Sequence, residues 1–266
     1  MPLRIEHYGD VERIRMWSAG SRAAGLHVSA YVVRDIMIDS GFPHARHALL
    51  AAARELRVSG VAVTHWHEDH AGNVASLASL GLPVSLRSDT QAKLRERPAI
   101  AFYRHMIWGQ PPRLDAPLTA FEPSSLRGIH TPGHSPDHQV IWDDETGTLF
   151  SGDLWLGVHS RAVHASEDPY AIVESLRRVR ALEPARMFDA HRGLVPNAAA
   201  ALDAKIGWLT DTLGQIEERI AAGWSDREIV RRVLGGEERS GILSGGDYAR
   251  RNLVRAVRSK VPTAGA

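Results

Sequence analysis

The chain has 266 residues, of which 44% are hydrophobic and 24% charged, and its formal net charge is +1. This composition is typical of an ordinary globular protein, and the small net charge excludes an overall field that would recruit nucleic acid or anionic lipid. There is no cysteine, which excludes disulfide bonds and thiolate metal sites. The first residues lack the apolar core of a secretory signal and no apolar run is long enough to span a bilayer, so we expect a cytoplasmic protein.

Strand-like and helix-like segments alternate over the first two-thirds of the chain. Short apolar runs bounded by turn residues predict strands, and longer runs rich in Ala and Leu predict helices. Asp168 is a good N-cap for a helix that continues to Leu182. The alternation by itself indicates an α/β or α+β fold. The other predicted elements are strands over residues 31–33, 36–38, 84–86, 140–142 and 148–150, and helices over 47–56 and 73–80.

Three histidines and two acidic residues cluster within residues 65–70, directly after the short apolar strand 61–63. Imidazole nitrogen and carboxylate oxygen are good ligands for Zn²⁺ and similar divalent ions. His65 and His67 alternate with a tryptophan, so in an extended segment they would point the same way. Asp69 and His70 follow as the chain turns and would face a second ion. The run therefore predicts a metal-binding loop.

Further isolated ligand-type residues recur later in the chain. His134 follows a Thr-Pro-Gly turn, Asp153 follows Ser-Gly, and His191 lies between Asp-Ala and Arg-Gly. Each is preceded by a short apolar run that reads as a strand. A sheet delivers the ends of such strands to one rim, so we expect these residues to meet the metal loop.

This ordered set of motifs resembles the metallo-β-lactamase superfamily, over residues 31 to about 191. The resemblance implies a four-layer αββα sandwich of two mixed sheets with helices outside, an α/β (α+β) fold, with a helical C-terminal extension. We therefore divide the chain into a catalytic domain, residues 1–196, and an extension, residues 197–266. Asp39 matches the first motif of the family, where an acidic residue closes a strand and orients the metal loop.

The resemblance also implies a binuclear metal centre and a partner of the attacking water, a catalytic role that falls to Asp69. We expect two divalent metal ions, zinc first, with iron or manganese as alternatives. The implied ligands are His65, His67 and His134 for one ion, Asp69, His70 and His191 for the other, and Asp153 as the bridge.

A metal-bridging hydroxide would cleave a small carboxylic ester, thioester or lactone. Two alternatives stay open: a metal-dependent ribonuclease or phosphodiesterase, and a non-enzymatic metal-binding member of the fold. The complete ligand set argues against the non-enzymatic alternative. The lack of a signal sequence and of cysteine argues against a secreted β-lactamase.

The segment 87–122 is rich in aromatic residues, which is typical either of a lid over a pocket or of a helix packed on the core. On the lid interpretation, Tyr103 and Trp108 would line the site together with Trp155 and bind a small organic substrate. Polar contacts with the substrate would come from the loop that follows Asp153, where the candidate residues are His159, Arg161 and His164. The alternative is that this loop is simply solvated. Glu68, inside the metal motif, is interpreted as solvent-facing, and His138 as a buried structural residue.

The C-terminal segment is predicted to be helical. Residues 198–222 form one long helix, and Ser225 with Glu228 predicts a capping box at the start of the next. Four arginines on the last helix invite a nucleic-acid interpretation, but nearby glutamates leave no strong basic patch. We therefore expect no nucleic-acid partner and interpret this face as solvated or as a contact in a homodimer. The four are Arg250, Arg251, Arg255 and Arg258.

Overall fold

The computed structural model describes residues 3–123, 125–160 and 163–261. They fall into two compact units. The first contains the described residues up to 130 together with 137–153 and 184–196, and the second contains 131–136, 154–183 and the described residues from 197 onward. Segments 131–136 and 154–183, which the sequence division placed in the catalytic domain, thus belong to the second unit. A functional boundary at residue 196 stays a prediction.

The first unit contains a six-stranded sheet whose strands follow chain order. Strands β1 to β4 pair antiparallel, and β4, β5 and β6 pair parallel. Arg34 and Asp35 join β3 to β4 with positive φ angles of 53° and 88°, as a tight hairpin turn requires. The strands are β1 (Leu3–Tyr8), β2 (Val11–Met16), β3 (Val28–Val33), β4 (Ile36–Ile38), β5 (Gly60–Ala62) and β6 (Val84–Ser85).

A five-stranded sheet completes the strands of this unit, in the order β11-β10-β9-β8-β7. The strands predicted at 140–142 and 148–150 are confirmed, and they form a hairpin with Asp143 paired to Thr148. Strands β9 and β10 run parallel, and the other neighbours run antiparallel. The strands are β7 (Leu126–His130), β8 (Gln139–Asp143), β9 (Thr148–Phe150), β10 (Arg186–Asp189) and β11 (Gly193–Val195).

Side-chain alternation along the strands separates two hydrophobic cores in the first unit. In β4, Met37 packs in the core shared with helix residues such as Leu49, whereas Ile38 packs in the core shared with Phe150 and Phe188 of the other sheet. The two sheets therefore pack face to face, with helices on the outer side of the first sheet. These helices are α1 (Ala19–Ala23), α2 (Arg46–Glu55), α3 (Val74–Ser79), α4 (Ser88–Glu96) and α5 (Phe102–Ile107).

The regular secondary structure described in the second unit is helical, with an isolated bridge between His164 and Tyr248 in addition. Asp168 accepts hydrogen bonds from the backbone N–H groups of residues 170 and 171, and Ser225 with Glu228 forms the predicted capping box. No helix in the described ranges combines the length and the apolar character needed to cross a bilayer. The helices are α6 (Pro169–Arg180), α7 (Ala198–Ala221), α8 (Asp226–Arg232), α9 (Arg239–Leu243) and α10 (Arg250–Arg258).

Candidate metal centre

The ends of parallel strands bring the ligand-type residues of the first unit together. The metal loop, residues 64–72, follows β5, which pairs parallel with β4. Asp153 follows β9 and His191 follows β10, and these two strands are also parallel neighbours. Because parallel strands end at the same edge of a sheet, their following loops converge there. The local sequence thus places histidines and carboxylates at one edge of each sheet.

Two groups of donor atoms lie in this unit. His65, His67 and Asp153 each offer one ligand atom, and these atoms lie within 4.8 Å of one another. Asp69, His70 and His191 form a second group of the same size. Oδ1 of Asp153 lies 3.2 Å from Nε2 of His70 and 3.3 Å from Nε2 of His191. Asp153 therefore adjoins both groups, which is the placement that a bridging ligand needs.

The chemistry of this donor set fits divalent transition metals. Imidazole nitrogens with a few carboxylate oxygens suit zinc, iron and manganese. All the donors are buried except His191, which is partly exposed. Buried ionisable groups at this density need mutual pairing or a metal ion to offset the cost of desolvation. These residues could hold one or two metal ions.

The charges of the site are strongly coupled. Burial opposes protonation of His70, but the carboxylates of Asp153, Asp69 and Asp39 outweigh it and hold the pKa of His70 well above its usual value. Burial likewise opposes protonation of His191, and Asp153 and Asp69 outweigh it, raising the pKa of His191 to about 9. Both imidazoles must lose their proton to bind a metal, so protons compete with the metal for this site.

Asp39 connects two parts of the metal loop. It follows β4 with a φ of 60° and is buried. Its carboxylate accepts hydrogen bonds from the backbone N–H of Thr64, at 2.8 Å, and from the Thr64 hydroxyl. It also lies 2.8 Å from Nδ1 of His70. With Nδ1 engaged in this way, Nε2 of His70 is turned toward Asp153.

The neighbourhood of Asp153 is equally restricted. Nε2 of His138 accepts a hydrogen bond from the backbone N–H of Asp153 at 3.1 Å. Gly152 has a positive φ of 50°, and a Cβ there would lie 2.8 Å from the same imidazole nitrogen. His138 is fully buried, as the sequence interpretation expected. His138 therefore fixes the backbone that presents Asp153.

His191 is oriented through its other ring nitrogen. Its Nδ1 lies 2.7 Å from the carbonyl oxygen of His27, and its backbone N–H donates to the Asp189 carboxylate. Nε2 is then directed at the carboxylates, since Oδ2 of Asp69 lies 3.5 Å away.

His134 belongs to the second unit. It is buried, and its Nδ1 lies 3.1 Å from Oε1 of Glu167. Gly133 precedes it with a φ of 136° and lies so close to α6 that a Cβ there would be 2.5 Å from the backbone nitrogen of Ile172. A carboxylate on one ring nitrogen is the usual surrounding of a metal-binding histidine. That His134 completes the group of His65 and His67 stays a prediction.

Comparison with known proteins decides the family. The family model described as "Metallo-beta-lactamase superfamily" matches residues 23–191. The chain belongs to this superfamily. The fold class expected from the sequence, an αββα sandwich with C-terminal helices, is confirmed.

Among similar solved structures are DIM-1 metallo-beta-lactamase and FIM-1 from Pseudomonas aeruginosa. The DIM-1 structure has a TM-score of 0.61 at 17% identity and covers 79% of this chain and 98% of its own. The FIM-1 structure, in a mono-zinc form, has a TM-score of 0.62 at 17% identity and covers 79% and 96%. At this identity the likeness concerns the fold alone.

Curated relatives include fungal proteins named atrochrysone carboxyl ACP thioesterase. One, from Aspergillus fumigatus, is 28% identical over 231 residues, which are 85% of this chain and 65% of that protein. Another, from Paecilomyces divaricatus, is 35% identical over 147 residues, 55% of this chain and 41% of that protein. A Caenorhabditis elegans relative is named Beta-lactamase-like protein 2 homolog and is 24% identical over 65% of this chain and 57% of its own length. The chain therefore spans less than two-thirds of the length of these relatives.

Glu68 corrects the sequence interpretation, which took it as solvent-facing. It is fully buried, and Arg104 of α5 donates two hydrogen bonds to its carboxylate, at 2.6 and 2.7 Å. Burial raises the pKa of Glu68; the Arg104 guanidinium opposes that shift and the Asp69 carboxylate adds to it. The ion pair could not be predicted from the metal motif itself, because Arg104 lies 36 residues further along the chain.

The aromatic segment also differs from the lid interpretation. Trp108 was expected at a pocket rim, but it is 7% exposed and packs in the first core, with its ring 5.0 Å from that of Phe42. Tyr103, on the short helix α5 that precedes Trp108, is partly exposed. Phe102 and Met106 are the exposed members, at 78% and 59%. Trp108 thus packs as a core residue, and substrate contacts by Trp108 and Tyr103 stay predictions.

The remaining predicted substrate residues lie in the second unit. Trp155 is buried and its indole N–H donates to the carbonyl of Ala201; a substrate contact by Trp155 stays a prediction. The ring of His159, an exposed residue, lies 5.4 Å from that of Trp208.

His164 is held on both ring nitrogens. Nδ1 lies 2.7 Å from the hydroxyl of Ser166, and Nε2 lies 3.1 Å from Oδ1 of Asp247. Arg161 lies outside the described residues. Substrate contacts by His159, Arg161 and His164 stay predictions.

Proposed function

We propose that the chain is a metal-dependent hydrolase that cleaves a thioester or a related small carboxylic ester or lactone, with both donor groups occupied by metal. The observation that carries this proposal is Asp153, whose Oδ1 lies between the imidazoles of His70 and His191 while Asp153 also belongs to the group of His65 and His67. A carboxylate shared between two donor groups is what a two-metal hydrolytic site requires. The names of the fungal relatives support the thioester as substrate class.

The bound metals would supply a hydroxide near neutral pH and polarise the carbonyl of the substrate. Asp69, which lies beside His191 and His70, would receive the proton released from the attacking water. Asp39 keeps Nδ1 of His70 engaged, and the His27 carbonyl does so for His191. These contacts hold both imidazoles in one orientation throughout the reaction.

The leaving group of a thioester supports this choice of substrate class. A thiol has a pKa of about 8.5, so a thiolate leaves without a dedicated acid, unlike an alkoxide or an amine. The chain contains no cysteine, which excludes transfer of the acyl group to a thiol of the enzyme. On the two-metal proposal the acyl group would pass to the attacking water and the thiolate would leave.

A substrate panel on the zinc-loaded protein tests this proposal. It contains short acyl thioesters of pantetheine and coenzyme A, a matched oxygen ester, a lactone, a chromogenic β-lactam and single-stranded RNA. We expect the thioesters to give the highest kcat/KM, metal chelation to abolish it, and Asp69→Ala to lose most of kcat with the fold retained. Preferred cleavage of RNA would favour the phosphodiesterase alternative, and turnover of none of the panel would favour a metal-binding scaffold.

Zinc as the metal, a homodimer and a cytoplasmic location belong to the same proposal. Elemental analysis of the purified protein should find about two transition-metal ions per chain if both donor groups fill. Trace metal after reconstitution would contradict the binuclear site. Size-exclusion chromatography with light scattering would decide between monomer and dimer.

A further inference from the structure

An ion pair joins the metal loop to helix α5 in the interior of the first unit. The Glu68 side chain is fully buried and that of Arg104 is 9% exposed. The two nitrogens of Arg104 donate to the two oxygens of Glu68 at 2.6 and 2.7 Å, the parallel geometry that guanidinium and carboxylate favour. Glu68 lies between His67 and Asp69, one residue from each donor group.

The Arg104 end of the pair is held by the core. Trp108, the residue after α5, packs against Phe42. The hydroxyl of Ser18 donates to the carbonyl of Ile107 at 2.6 Å, and the backbone N–H of His44 donates to the carbonyl of Trp108. Helix α5 therefore presents Arg104 from a fixed position.

The Glu68 end has little freedom in its backbone. The carbonyl of His67 accepts hydrogen bonds from the N–H groups of His70 and Ala71, which close a turn around Glu68 and Asp69. Gly72 lies so near that a Cβ there would be 2.2 Å from the Glu68 carbonyl oxygen and 2.6 Å from that of Gly41. The side chain of Glu68 then connects this turn to α5 through its ion pair with Arg104.

A buried ion pair contributes little net stability to a fold. Removing two charges from water carries a large desolvation cost, and well-packed apolar residues often stabilise as much or more. What the pair adds is a defined direction and distance, since its two hydrogen bonds are parallel and short. We propose that Glu68 and Arg104 are positioning residues, which hold the metal loop so that His67 and Asp69 present their ligand atoms correctly.

This inference rests on the metal-binding part of the proposed function and is independent of the substrate. It is tested by titrating the metal-free protein with Co²⁺, whose visible absorption bands report coordination geometry. The variants are Glu68→Gln, Arg104→Met and Arg104→Lys. The double variant Glu68→Gln/Arg104→Gln keeps a neutral, hydrogen-bonding pair in case the single variants fold poorly.

The chain offers a matched control in a second pair of this kind. Arg34 donates to both oxygens of the fully buried Asp143, at 2.9 and 3.2 Å. Asp143 belongs to neither donor group. The control variants Arg34→Met and Asp143→Asn remove the same chemical groups, so they report the effect of lost stability alone.

We expect Glu68→Gln and Arg104→Met to weaken Co²⁺ binding by roughly 10- to 100-fold, the usual loss when a partner around a metal site is removed, and to shift the absorption bands. Arg104→Lys should be intermediate, because lysine keeps the charge but not the parallel pair of hydrogen bonds. The control variants should match wild type in both measurements. If wild type binds Co²⁺ and the Glu68 and Arg104 variants match the controls, the positioning role is wrong. If wild type binds no Co²⁺, the metal-binding proposal fails as well.

Discussion

The metal loop and the C-terminal helices both contain charged residues, but they differ in how deeply these residues are buried. In the loop, Glu68 and Asp69 are 0% and 7% exposed. In the C-terminal helices, the Arg255 side chain is 61% exposed and reaches Asp226 at 4.0 Å. Charges interact far more strongly away from water, and an exposed pair contributes about 0–1 kcal/mol. Burial, more than the number of charges, therefore distinguishes the metal loop from the C-terminal helices.

The largest effect is expected at Asp153. Asp153→Ala removes the carboxylate that adjoins both donor groups, so both should lose metal affinity together. Loss of an outer partner of a ligand costs roughly 10- to 100-fold, and loss of a shared ligand should exceed that range. Metal stoichiometry by elemental analysis and kcat/KM on the thioester panel would measure it. A variant that still binds two ions tightly would contradict the shared role.

Trp108 tests whether the core holds α5. Trp108→Ala removes a large buried side chain packed on Phe42 and should destabilise the protein by about 3–5 kcal/mol. Phe102→Ala, at the start of α5 and 78% exposed, should change stability by less than about 0.5 kcal/mol. Denaturant unfolding of both variants provides the comparison. Equal stability of the two would mean that Trp108 is not a core residue.

The variant Asp143→Asn tests how much a buried carboxylate outside the donor groups contributes to the stability of the fold. Burial opposes its ionisation, but Arg34, Thr146 and the backbone N–H of Glu145 outweigh it and lower the pKa of Asp143. The ionised form thus stabilises the fold above the unfolded-state pKa of about 3.9, and this stability is lost as pH falls through the lower folded-state pKa. Asp143→Asn should cost about 1–3 kcal/mol at pH 7, with the difference from wild type shrinking below about pH 4. If the difference in unfolding free energy between wild type and Asp143→Asn did not change with pH, this role of the ionised carboxylate would be wrong.

The smallest effects are expected in the C-terminal helices. Arg255→Ala should change the free energy of unfolding by less than about 0.5 kcal/mol, as is usual for exposed substitutions. Arg250 and Arg258 already pair with Glu238 and Asp226, so we also expect no tight RNA binding. A gel shift showing strong binding that weakens steeply with salt, and that is lost on changing these arginines, would contradict this expectation.

Local spacing was informative wherever the function of a residue depends on its immediate neighbours. The run at residues 65–70 predicted a metal loop after a strand, and β5 ends directly before it. The capping box of Ser225 and Glu228 is likewise a local signal, and it is confirmed. In each case the interaction spans only a few residues, so the pattern contains both partners.

Contacts between segments that are far apart in the chain could not be predicted from local spacing. Glu68 and Arg104 are 36 residues apart, and a polar residue in a ligand motif looks solvated until its partner is known. Trp108 sits in a segment whose aromatic content suits a lid as well as a core, and only packing against Phe42 decides. The hairpin of β1 and β2 was missed although its alternation of charged and apolar residues was available, with Ile14 buried and Arg15 partly exposed.

The crowding at Gly72 has a consequence for protein engineering. An added Cβ would meet two backbone carbonyl oxygens and the ring of Pro43, none of which can rotate away, so we expect most substitutions at position 72 to disturb the loop. Trp66, at the other end of the same loop, has its backbone N–H held by Asp137 while its side chain is partly exposed. We therefore expect position 66 to accept changes of side-chain size with less disturbance of the loop backbone than position 72.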